Sequence, residues 1–101
     1  MNMITPIAGL EIRDSLFGQL DWLIAGRPQS PREACAEARR LVDLAIADTC
    51  QADNLWGAVD AFHDHFDLLM RTIDLKGADD AGVGDLRARC RFYLEQVEAL
   101  A

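Results

Sequence analysis

The sequence predicts an all-α protein, a compact bundle of about four antiparallel helices. Three observations predict it. Apolar residues recur at spacings of three and four in four segments, the period of one helix face. Between those segments stand Gly, Pro, Ser, Asp and Asn, the residues that stop and start helices. No stretch alternates with period two for long enough to form a strand. The helices fall near residues 9–25, 31–50, 54–76 and 85–100, within a single helical domain over 1–101.

The first helix carries Ile12, Leu16, Leu20, Leu23 and Ile24 on one stripe and stops before Gly26, which suits the position after a helix end. The second starts at "SPRE": Ser30 is an N-cap, Pro31 the first helical residue, and Glu33 completes a capping box. Its core face is Ala34, Ala38, Leu41, Val42 and Ala45. Asp53 or Asn54 caps the third helix and Gly77 ends it. That helix has the longest and most aromatic stripe, Leu55, Val59, Phe62, Phe66, Leu69 and Ile73, which makes it the central one. "GADDAGVGD" is read as a turn, with Asp85 capping a fourth helix that offers Leu86, Cys90, Tyr93, Leu94, Val97 and Leu100. Short links make sequence neighbours antiparallel.

At 101 residues, half of them hydrophobic and with a net charge of −7, the chain is long enough for one modest core. Its acidity is uneven. Between Leu41 and Met70 stand Asp43, Asp48, Asp53, Asp60, Asp64 and Asp67, with no Lys or Arg. Such a surface repels nucleic acid and anionic membrane and favours a basic partner. Nine of the ten basic residues are Arg, a composition that hints at a GC-rich bacterial or phage genome. Cys35, Cys50 and Cys90 have no paired spacing, so three reduced thiols in a cytoplasmic protein are expected. "MNMITPIAGLEIRD" lacks the features of a signal peptide, and no apolar run reaches membrane-spanning length.

"WGAVDAFHDHFDLLMR" is the stretch that most resembles chemistry. At 100° per residue His63 and His65 point about 160° apart, so they cannot share a metal. Asp60, His63, Asp64 and Asp67 do share a side, at i, i+3, i+4 and i+7. They are read as a solvated acidic face with a local His–carboxylate pair. Asp60, His63 and Asp67 remain the weak metal candidates, because an Asp-x-x-His pair is half of a bundle carboxylate site in spacing only.

Other patterns lead to no reaction. "GVG" is not a phosphate loop, and "DLKGADDAGVGD" misses calcium-loop spacing. Ser15, Ser30 and the cysteines have no base in a recognisable motif. Arg87, Arg89 and Arg91 share a helix with Glu95 and Glu98, which suits a salt-bridged surface better than a nucleic-acid contact. No enzyme and no cofactor are expected.

The informative residues are apolar ones off the stripes. Trp22 projects away from the first helix's core face, Phe92 from the fourth's, and Leu68 from the third's, with Ala61, Thr72 and Leu75. On the second helix an apolar arc from Leu44 round to Ile46 is wide for one buried side. Either an irregular bundle wraps these residues or they bind a protein, with Trp22, Phe92 and Leu68 as anchors.

The expectation is a small acidic protein-binding protein, a stoichiometric inhibitor or regulator. Asp43, Asp48, Asp60, Asp64 and Asp67 would steer it to a basic partner, a nucleic-acid-handling machine being one class, as anti-defence proteins of mobile elements do. The alternatives are a structural module (a homodimeric bundle or small chaperone) and a carboxylate–His metal-binding bundle.

Overall fold

A computed structural model describes residues 8–28, 30–47 and 53–101. It contains four helices: α1 (Ala8–Ala25), α2 (Pro31–Ile46), α3 (Leu55–Lys76) and α4 (Ala81–Leu100). Each packs on two others, α1 on α2 and α4, and α3 on α2 and α4, so α1 lies diagonal to α3. The α3–α4 pair is the most extensive contact. Among the described residues there is no strand, and no helix is long and apolar enough to cross a membrane.

The α3 stripe is buried as its spacing predicts, with Leu55, Phe62, Phe66 and Leu69 fully enclosed. Phe62 and Phe66 stack at 5.8 Å, one above the other along the helix. The five expected core residues of α2 are buried, joined by Ile46. On α4, Cys90, Leu94 and Val97 are buried, while Leu86, Tyr93 and Leu100 pack at the rim of the core.

Two boundaries carry instructive detail. Ser30 caps α2 as expected, in extended backbone, accepting from the Glu33 N–H at 3.3 Å. Gly77 ends α3 with φ +93°, a conformation that costs other residues a Cβ clash. Gly26 is different: it does not share that positive φ, and its N–H donates to Leu23 O.

The start of α4 corrects the sequence reading. The helix begins at Ala81, four residues before the expected Asp85, and Asp80 is the cap, accepting from the Gly82 N–H at 3.0 Å. Two glycines weaken helix propensity there, but burial of Val83 outweighs them. Asp85 is instead inside the helix, paired with Arg89 one turn on. A second correction concerns α1. Ile12, placed on the core stripe, is 63% exposed, and Phe17 is buried in line with Leu20 and Ile24. The larger ring sets the rotation of the helix, because it buries more apolar area than Ile12 could.

Two arginines tie helix ends together. Arg87 of α4 donates to Ile24 O and Gly26 O, which the end of α1 leaves without helical partners. Arg13 of α1 does the same for Glu98 O and Ala101 O at the end of α4. A cation at a helix C-terminus also opposes the helix dipole.

Candidate functional site

In the Asp60–Asp67 set the carboxylates are solvated as the spacing suggested, with Asp60 and Asp64 exposed and Asp67 half-buried, but the histidine is not. His63 is only 6% exposed and belongs to the core, 5.5 Å from the Phe62 ring. It is buried because α3 is covered by α2 on one flank and α4 on the other, so its buried arc is wider than one stripe. Burial pushes the His63 pKa below the ordinary histidine range. Arg39 adds to that effect, while Asp67, Asp43 and Asp60 oppose it.

On the surface above His63, Arg39 of α2 reaches across the seam to Asp67 of α3 at 2.9 Å. Asp43 is one turn beyond Arg39 on the same side of α2. On α3 the corresponding row runs Asp67, His63, Asp60, Trp56, in steps of four, three and four. Asp64 is exposed beside this row, and Asp48 lies outside the described residues. Among the described residues no three His, Cys, Asp or Glu side chains gather as a metal-holding group. Asp67 already has its cation.

The antiparallel arrangement separates charge along the bundle. The half containing the α1–α2 and α3–α4 turns holds Arg27, Arg32, Arg71, Lys76, Arg87 and Arg89, interleaved with acids, while Arg39, Arg40 and Arg91 stand just past the middle of their helices. The five ion pairs among the described residues lie in that half or at mid-bundle: Arg27–Asp79, Arg39–Asp67, Arg40–Glu37, Arg89–Asp85 and Arg91–Asp21. Toward the other end stand Asp14, Asp43, Asp53, Asp60, Asp64, Glu95 and Glu98. Each is exposed, and none is in an ion pair among the described residues. Arg13, the one cation among them, is held on helix-end carbonyls. The net charge of the protein is therefore concentrated in one half.

The off-stripe apolar residues are exposed, but they do not form one patch. Trp22, at 74% exposure, borders a groove of about 190 Å³ between α1 and α2, with Gln19, Leu23, Glu37 and Leu41. Ile12 and Leu44 continue the same edge by helical spacing and are also exposed. Phe92, 55% exposed, packs edge-on against Tyr93, which in turn meets the His65 ring of α3 at 4.7 Å. Leu68 is exposed on that same α3–α4 side. Trp22 and Phe92 thus occupy opposite faces of the bundle, so a single small interface cannot use both.

The sequence reading overlooked Trp56. It is 46% exposed at the start of α3, in the acidic half and on the side facing α2. Its spacing of four from Asp60 was the available signal. The described thiols are poor nucleophiles. Burial first, then the Asp67 carboxylate, raises the Cys35 pKa to about 11, and burial raises that of Cys90 to about 12. Both are free, and Cys50 lies outside the described residues.

Comparison with known protein families, with curated proteins and with solved structures found no match to the chain.

Proposed function

We propose that this protein acts by binding another protein, one with a basic surface, and covering it. The observation that carries this reading is the acidic half, with seven exposed carboxylates that make no ion pair among the described residues. Like charges gathered on one end repel each other, and a basic partner relieves that repulsion while being steered to the site. Exposed Ile12, Leu44 and Trp56 on the same half supply apolar area, which makes a contact persist after steering. Inhibition or regulation by occlusion needs no further chemistry from the protein, and a nucleic-acid-handling partner is one class whose working surface is basic.

The test is a complex reconstituted from purified components after affinity capture from the native host. One-to-one stoichiometry and an affinity that falls steeply with added salt are expected. A complex indifferent to salt would overturn the electrostatic reading.

A second reading has its own observation. The α1–α2 edge of Ile12, Trp22 and Leu44 is apolar and lies largely apart from the carboxylate seam. It suits an assembly module, either a homodimer or a chaperone for a partner's helix. Sizing at high salt separates the two, since apolar self-association survives there.

A further inference from the structure

Resting on the reading that the partner is basic, we propose that the α2–α3 seam is where it docks, an arginine side chain of the partner stacking on Trp56 and pairing with Asp60 and Asp43. The chain already shows what this seam holds. At its middle the Arg39 guanidinium sits on Asp67 at 2.9 Å. Further along the same two rows come Asp43 and Asp60, carboxylates in no ion pair among the described residues, and then the half-exposed Trp56 ring. A guanidinium suits that end better than an ammonium, because its plane stacks on an indole while its edge pairs with carboxylates.

A second observation points to the same place. His63 lies beneath the seam, more than nine-tenths buried, and its ring makes no hydrogen bond to protein among the described residues. A buried polar ring without a partner is uncommon. The His63 ring lies close enough to Asp43, Asp60 and Asp67 for their charges to act on it. The α1–α2 groove beside Trp22 offers no such set, since its lining contains a single acid, Glu37, already paired with Arg40.

The experiment uses the full chain with Trp22→Phe, which leaves Trp56 as the sole tryptophan. The probe is a dye-labelled synthetic amphipathic helix with leucine on one face and arginine on the other. Lysine/leucine and glutamate/leucine versions serve as comparators. Expected are a shift of Trp56 emission on adding the arginine peptide, weaker binding of the lysine peptide and none of the glutamate peptide. The Asp43→Asn/Asp60→Asn variant and, by the dye, Trp56→Ala should each bind the arginine peptide about tenfold more weakly, with helix content unchanged. Tight binding that survives both changes would overturn this assignment and leave the proposed function standing. Failure of the arginine peptide to bind the chain at low salt would overturn both.

Discussion

His63 tests the architecture of the seam directly. Truncating it to alanine removes about 65 Å³ of side chain, and α2 and α4 limit how far the site can collapse. At about 24 cal/mol per Å³ an unrelaxed cavity of that size costs about 1.5 kcal/mol, and lost transfer of the ring adds about 1 kcal/mol. The expected loss is therefore about 2–3 kcal/mol by urea unfolding at pH 8. His63→Leu nearly conserves volume and removes a buried polar ring, so it should cost less than about 1.5 kcal/mol. The pH dependence follows from the lowered pKa. As pH falls through the ordinary histidine range near 6.5, the unfolded chain takes up a proton before the folded chain does. Stability is thus full above that range and declines as pH drops below it. His63→Leu should flatten this decline, whereas the wild-type chain should show it. A His63→Ala loss within about 0.5 kcal/mol, the range of surface positions, would refute the burial of the ring.

Three further outcomes are expected. Asp80→Ala should cost about 1 kcal/mol in thermal or urea melts as the loss of a helix cap, and Asp85→Ala no more than about 0.5 kcal/mol; the reverse order would move the start of α4. Arg87→Ala strips Ile24 O and Gly26 O of their donor and should lower stability by about 1–3 kcal/mol, with hydrogen exchange rising first at the end of α1. Trp22→Ala and Phe92→Ala should each leave the melting midpoint of the free protein nearly unchanged, because both rings are largely solvent-exposed, and a collapse of the midpoint would place them in the core.

The α3 stripe and the Ser30 cap were legible because each is a local pattern: spacings of four and three, or one hydroxyl three residues before an N–H that needs an acceptor. His63 was not, because its burial depends on two neighbouring helices widening the covered arc beyond Phe62 and Phe66. Ile12 and Phe17 are equally apolar in a pattern, and only the space left by α2 and α4 selects the ring. The α4 start was misjudged because glycine and aspartate are turn residues by composition, while Val83 pulls that turn into helix by tertiary burial.

The candidate surface divides in the same way. The run of acids without a cation between Leu41 and Met70 is a property of the chain, as is the off-stripe position of Trp22, Phe92 and Leu68. Their assembly is not. Antiparallel packing brings Asp14, Asp43, Asp60 and Glu98 into one half although they are distant in sequence, and it puts Trp22 and Phe92 on opposite faces. Helix periodicity decides which side of its own helix a residue takes. Which neighbour covers that side, and which charges meet across a seam, is decided only when the helices pack, because those distances belong to pairs of elements.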